Sequence, residues 1–102
     1  MSFGERIKAR REELQIKQED VAGYINENLS HQAVGKWERD ESYPQVEKLL
    51  LLAVKLDMSL DDMFADELAY LKRNNKNDDE FFKKYPGLIS GLKTLAKIID
   101  NV

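Results

Sequence analysis

The first residues of the chain alternate apolar and charged positions with a helical period. Phe3, Ile7 and Leu14 are separated by four and seven residues, and most positions between them are charged. This spacing predicts an amphipathic first helix over residues 3–14, with a narrow apolar face.

Two short helices are predicted next, separated by a polar break. The second helix runs from Gln18 to Ile25, and residues 26–28 after it are turn formers. The hydroxyl of Ser30 can accept from the free amides of a following helix, so a third helix is predicted over residues 31–38.

The middle of the chain predicts two more helices. Pro44 disfavours helical angles in the residue before it, and apolar positions then form a broad stripe over residues 46–56. Ser59 can cap a fifth helix. The apolar spacing after it is compatible with an end near Phe64 or near Lys72, so both ends stay open.

The C-terminal third consists of a polar linker followed by one more predicted helix. Residues 74–79 are polar and rich in turn formers, which is typical of a linker. An aromatic cluster at positions 81, 82 and 85 precedes a helix predicted over residues 88–99. The apolar stripe of that helix comprises Leu88, Leu92, Leu95 and Ile99. Such a stripe must be buried against something, and no segment of the chain predicts a strand.

The composition changes this all-α picture little but narrows the function. A chain of 102 residues, 42% hydrophobic and 34% charged, holds one small domain with or without an oligomerisation tail. No apolar run is long enough to span a membrane, and no basic segment followed by an apolar stretch opens the sequence, so we expect a soluble, cytoplasmic protein. With no Cys and one His, we expect no metal, no cofactor and no enzyme activity.

The charge of the chain argues at first against a nucleic-acid partner. The net charge is −3, and residues 1–65 contain nine Lys or Arg against thirteen Asp or Glu. Phosphate neutralisation by basic side chains supplies much of the affinity for DNA. DNA binding therefore depends on where the basic positions lie, not on their number.

Residues 3–64 resemble the Cro and C1-type helix-turn-helix regulators, the Xre family. The resemblance is carried by Arg11, Gln18, Val21-Ala22, the run Ser30–Arg39 and Tyr43-Pro44. It implies a five-helix, lambda-repressor-like DNA-binding domain over residues 1–65 of a bacterial or phage repressor, with residues 66–102 as a helical C-terminal extension. Three departures are a longer break between helices 2 and 3, Lys17 where the family has a side-chain acceptor, and Gly23 where the family often has a larger helix former.

The third helix is the expected recognition element. Val34 and Trp37 are apolar and three residues apart, so they should face inward. The positions that then face outward are His31, Gln32, Ala33, Gly35 and Lys36. The resemblance implies base contacts by His31, Gln32, Ala33 and Lys36. An amide such as Gln32 pairs with adenine, a lysine donates to guanine or a phosphate, and an alanine methyl contacts thymine. Each of these residues is also explained as an ordinary solvated position.

Other positions are expected to hold the DNA backbone or the helix itself. The resemblance implies a phosphate contact by Gln18, and Arg39, Lys17 and Lys48 are further candidates, although each cation is also explained as solvated. It also implies an ion pair between Arg11 and Glu38 that orients the third helix.

Two questions stay open in the sequence. The stripe Leu88, Leu92, Leu95 and Ile99 predicts either a homodimer contact, which we favour because one such domain covers only a half-site, or packing back onto its own domain. The fold is also compatible with a protein-interaction module, such as an antirepressor or antitoxin-like protein.

Overall fold

The computed structural model describes residues 1–73, which form six α-helices and no strand. The helices are α1 (Phe3–Glu13), α2 (Gln18–Ile25), α3 (His31–Glu38), α4 (Val46–Leu56), α5 (Leu60–Met63) and α6 (Ala65–Arg73). The predicted all-α class is confirmed. The linker, the aromatic cluster and the predicted helix over residues 88–99 lie outside the described residues.

Side-chain hydrogen bonds fix the starts of α1 and α3. The Ser2 hydroxyl accepts from the Glu5 amide at 3.2 Å, and the Glu5 carboxylate accepts from the Ser2 amide at 3.0 Å, which completes a capping box. The Ser30 hydroxyl accepts from the Ala33 amide at 3.3 Å, as the sequence predicts. Each bond satisfies an amide that has no acceptor within its helix.

The start of α2 is stabilised by a residue that the sequence analysis missed. Lys17 provides no side-chain acceptor, but its backbone amide donates to the Asp20 carboxylate at 2.9 Å. Because Asp20 lies in the first turn, its charge also interacts favourably with the helix dipole.

The break between α2 and α3 is an ordered loop over residues 26–30. The Asn26 side-chain oxygen accepts from the Asn28 amide at 2.9 Å, and its backbone carbonyl accepts from the Leu29 amide at 2.9 Å. These two bonds form the turn in which asparagine mimics a backbone group.

The helical pattern after Ser59 is divided at one residue. α5 ends at Met63, Phe64 leaves helical geometry at φ −108° and ψ 25°, and α6 then continues to Arg73. Phe64 is 4% exposed and stacks on Phe3, with ring centroids 4.7 Å apart. The chain therefore bends where this ring enters the core. The predicted helix end near Phe64 corresponds to this bend, and the predicted end near Lys72 corresponds to the end of α6.

One apolar core receives side chains from all six helices. Its members are Phe3, Ile7, Val21, Ala22, Ile25, Val34, Trp37, Leu49, Leu52, Leu56, Met63, Phe64 and Tyr70. The core position predicted for Trp37 is confirmed. Among residues 1–73, no helix reaches the length and apolarity that crossing a bilayer requires.

The start of α1 packs directly against the end of α3. The Gly4 amide donates to the Asp40 carboxylate at 2.9 Å, just beyond α3, and the Phe3 amide donates to the Glu67 carboxylate of α6 at 2.9 Å. A Cβ at Gly4 would lie 2.5 Å from the carbonyl oxygens of Trp37 and Glu38. Only glycine permits this approach, which fixes the C-terminal end of α3 against α1.

Candidate nucleic-acid interface

The outer face of α3 presents the predicted polar side chains to solvent. His31, Gln32 and Lys36 are exposed and Ala33 is half-buried, whereas Val34 and Trp37 on the opposite face are buried. Within residues 1–73, no hydrogen bond or ion pair engages the side chains of His31, Gln32 or Lys36. Their donors and acceptors are therefore available to a partner.

Gly35 does not face outward as the sequence analysis predicts. It is buried, and a Cβ at this position would lie 3.0 Å from Arg39 Nη1 and 3.4 Å from Gln18 Nε2. The prediction was wrong because helical periodicity places a backbone position on a face but does not show which neighbouring side chains cover it. Gly35 leaves room for Gln18 and Arg39 to lie across α3.

A buried ion pair holds the C-terminal turn of α3, as the family resemblance implies. Arg11 Nε donates to Glu38 Oε2 at 2.6 Å, and Arg11 Nη2 donates to Glu38 Oε1 at 3.2 Å. The side chains of Arg11 and Glu38 are 14% and 3% exposed. The hydrogen bond to Glu38 raises the pKa of Arg11, so the guanidinium stays charged.

Two further contacts extend this pair to neighbouring segments. Arg11 Nη1 donates to the carbonyl oxygen of Ile16, and Gln18 Nε2 donates to Glu38 Oε1, both at 3.0 Å. Arg11 of α1 and Gln18 of α2 thus meet at the Glu38 carboxylate of α3, and Arg11 also binds the segment after α1. Because the geometry of Glu38 is shared among them, the orientation of α3 is coupled to both preceding helices.

Gln18 is already partly engaged by this network. One N–H of its amide is directed at Glu38. A carboxamide has two N–H donors, so the second donor remains for another acceptor at the start of α2.

The cationic candidates differ in their surroundings. Arg39 donates to Glu41 Oε2 from Nε at 3.2 Å and from Nη2 at 2.9 Å, and the two side chains are 59% and 53% exposed. This hydrogen bond lowers the pKa of the Glu41 carboxyl. Lys17 is exposed and Lys48 is half-buried, and neither forms an ion pair with another described residue.

Glu41 and Gly4 bear on this surface but were missed in the sequence. Glu41 was missed because it lies in the segment between α3 and α4, where no helical periodicity indicates that it pairs with Arg39. Gly4 carried a usable signal, because glycine is a poor helix former and its presence in a first turn indicates close approach of another backbone. In the part of the chain that the structure describes, no cluster of His, Asp and Glu could hold a metal ion.

Two successive helices joined by a short loop, the second with a buried inner face and a free polar outer face, define the helix-turn-helix class. The chain belongs to the helix-turn-helix family, whose model matches residues 7–63. This confirms the Xre-type resemblance and the lambda-repressor-like fold.

Two comparisons find the same phage repressor as a similar protein. Repressor protein C2 of Salmonella phage P22 is 38% identical over 67 residues, which are 66% of this chain and 30% of that protein. The chain therefore matches less than a third of that relative's length. The crystal structure of the P22 c2 repressor protein in complex with synthetic operator 9T in the presence of Tl+ has a TM-score of 0.58 at 38% identity. The similarity covers 63% of this chain and 94% of the crystallised one.

Proposed function

We propose that this protein is a sequence-specific DNA-binding regulator, a repressor, that places α3 in the major groove of an operator half-site. The observation that carries the proposal is that α3 is fixed by Arg11 and Gln18 through Glu38 while its outer side chains remain unengaged. The similarity to a repressor crystallised with its operator supports the same role. The role is one of binding without catalysis, in the cytoplasm of a bacterial cell.

The proposed base contacts follow from the exposed groups of α3. The Gln32 amide can bond both the N6 and N7 edge atoms of adenine, and Lys36 can donate to guanine O6 or N7. Ala33 is small enough to contact a thymine methyl group, and His31 at the helix start can donate to a base or a phosphate. An α-helix fits the major groove, which is about 12 Å wide.

The proposed phosphate contacts lie at helix ends. The second amide N–H of Gln18 is a donor at the start of α2, where free backbone amides also favour anions. Arg39 can exchange Glu41 for a phosphate at little cost, because both side chains of that pair are more than half exposed. Lys17 and Lys48 are the remaining candidates. Such contacts set register without distinguishing sequences.

Recognition of a complete operator requires two copies of the domain. We propose a homodimer in which the C-terminal stripe supplies the contact, by residues Leu88, Leu92, Leu95 and Ile99. Two domains related by a two-fold axis can occupy half-sites ~34–36 Å apart. The two-fold axis of such a dimer predicts an operator with two-fold symmetry.

A binding selection followed by gel-shift titration tests the proposal. Random duplex DNA retained by the full chain should converge on one motif, and affinity for that motif should fall as salt rises. Gln32→Ala should weaken binding by ~1–3 kcal/mol and relax preference at one base pair, the usual effect of losing a bidentate base contact. The matched control is Gln15→Asn, at an exposed glutamine after α1 whose φ of 59° asparagine tolerates, and this variant should bind as the unaltered chain does.

Two outcomes would contradict the proposal at different points. If Gln32→Ala retains both affinity and base preference, α3 is not the recognition helix. If no fragment is retained at low salt, the chain is a protein-interaction module on the same fold, and DNA binding itself is refuted.

A further inference from the structure

The outer side of α4 carries an unusual concentration of exposed aliphatic side chains. Leu50, Leu51 and Val54 are 50%, 38% and 65% exposed, although the opposite side of the same helix is buried in the core. Val54 lies three and four residues after the two leucines, so the three side chains share one face. A helix that is apolar on nearly all sides is normally covered on all sides.

Tyr24 of α2 adds an aromatic ring beside this face. It is 46% exposed, and Lys55 Nζ lies 5.3 Å from its ring centroid, which connects it to the turn of α4 that contains Val54. We call Tyr24, Leu50, Leu51 and Val54 the α4 patch. Within residues 1–73, Met1 is the one other large hydrophobic residue with comparable exposure. Exposed apolar surface gathered in one place indicates an interaction site.

The rest of the chain contains an apolar face that also requires a cover. The helix predicted over residues 88–99 has twelve residues and would be about 18 Å long, close to the ~16 Å of α4. The fourteen residues between Arg73 and Leu88 can extend to ~46 Å, so the C-terminal segment has ample reach. The predicted helix is therefore long enough to cover the α4 patch, and its apolar stripe provides the kind of surface that would bury the patch.

We propose that the α4 patch is the docking surface for the C-terminal segment Leu88–Ile99 of this chain. At helical spacing, Lys93 and Lys97 lie on the side of the segment away from its stripe, so both charged groups stay in water when the stripe is docked. In the parallel orientation that sets Leu88 opposite Val46, Ala96 lies opposite Val54, because each step spans eight residues. The inference uses the self-association stripe of the proposed function but is independent of DNA binding.

Chemical cross-linking between introduced cysteines tests this contact in the full chain. The natural sequence contains no cysteine, so only the introduced thiols can react. The test variant combines Val54→Cys with Ala96→Cys, which lies beside the stripe and leaves its four residues intact. A short thiol-to-thiol cross-linker suits the ~8–10 Å between axes of packed helices. The control variant combines Lys8→Cys, an exposed position of α1, with Ala96→Cys. Circular dichroism before cross-linking verifies that both variants are folded.

We expect the link between positions 54 and 96 to form at least ten times faster than the control link. Adding Leu50→Glu to the test variant should slow it about tenfold, because that charge lies in the patch and outside the core. Equal rates in test and control, no effect of Leu50→Glu, or links joining only 54 to 54 or 96 to 96 of two copies would each overturn the proposal.

Mixing two singly substituted chains then shows which copy provides the segment. A link between a Val54→Cys chain and an Ala96→Cys chain supports docking on a second copy and the proposed dimer. A link confined to single chains supports the docking surface but contradicts the dimer. Neither result depends on operator affinity, so the failure of DNA binding remains distinguishable.

Discussion

Glu38→Gln tests whether the buried carboxylate of α3 determines the position of the recognition helix. In the structure its two oxygens accept three N–H groups, two from Arg11 and one from Gln18. An amide of the same shape has one oxygen and introduces two N–H donors. In either orientation its nitrogen faces an Arg11 donor at 2.6 or 3.2 Å, where hydrogen bonding is lost.

The magnitude follows from the burial of the pair. Removing one partner of a buried ion pair typically costs 3–5 kcal/mol, because the other charge is left uncompensated. Arg11 keeps its bond to the Ile16 carbonyl and is 14% exposed, which reduces the penalty. We therefore expect Glu38→Gln to lower the free energy of unfolding by ~2–4 kcal/mol. Operator affinity should fall as well, measured under conditions where the variant is folded.

Urea denaturation followed by circular dichroism measures this loss, with gel-shift titration as the second assay. Glu41→Gln is the matched control, because it neutralises the exposed partner of Arg39 and should leave the urea midpoint unchanged. A Glu38→Gln protein with a near-native midpoint and native operator affinity would refute the positioning role. Arg11→Met combined with Glu38→Gln should lose less than the sum of the two single losses, since the uncompensated charge is gone.

Three further predictions follow from the core and from the start of α1. Trp37→Ala should lower the free energy of unfolding by ~3–5 kcal/mol, the usual loss for a buried aromatic residue. A variant with a near-native melting temperature that loses DNA binding alone would instead assign Trp37 to the DNA-facing side. Gly4→Ala should lower the free energy of unfolding by ~1–3 kcal/mol and weaken operator binding, because its Cβ meets two carbonyl oxygens of α3. The Cβ of Gly23→Ala meets nothing within 4 Å, so this variant should raise the free energy of unfolding by up to ~1 kcal/mol. Equal melting temperatures of the two variants would contradict this prediction. Burial raises the pKa of Glu67, so above the ordinary carboxyl pKa the folded state retains a proton that the unfolded state loses. The stability of the protein relative to Glu67→Gln should therefore fall as pH rises through this range, measured by urea unfolding. A relative stability that rises with pH in this range would contradict the prediction.

Helix boundaries were predictable because their causes are local. A helix begins where a side chain such as Ser30 satisfies its first amides, and it ends where turn formers or a proline interrupt the pattern. The inner face of α3 was equally predictable from the spacing of Val34 and Trp37. The interaction of Arg11 with Glu38 was available only through the family resemblance, because no local rule pairs side chains 27 positions apart.

Within residues 1–73, the sequence by itself determined the all-α class, the positions of the first four helices and the exposure of His31, Gln32 and Lys36 on α3. The tertiary structure alone decided that Gly35 is covered, that Glu41 engages Arg39, and that Phe64 bends the chain at the core. It also decided that Gly4 brings α1 against the backbone of α3. These features depend on which surfaces meet after the helices pack, and such long-range contacts have no periodicity along the chain.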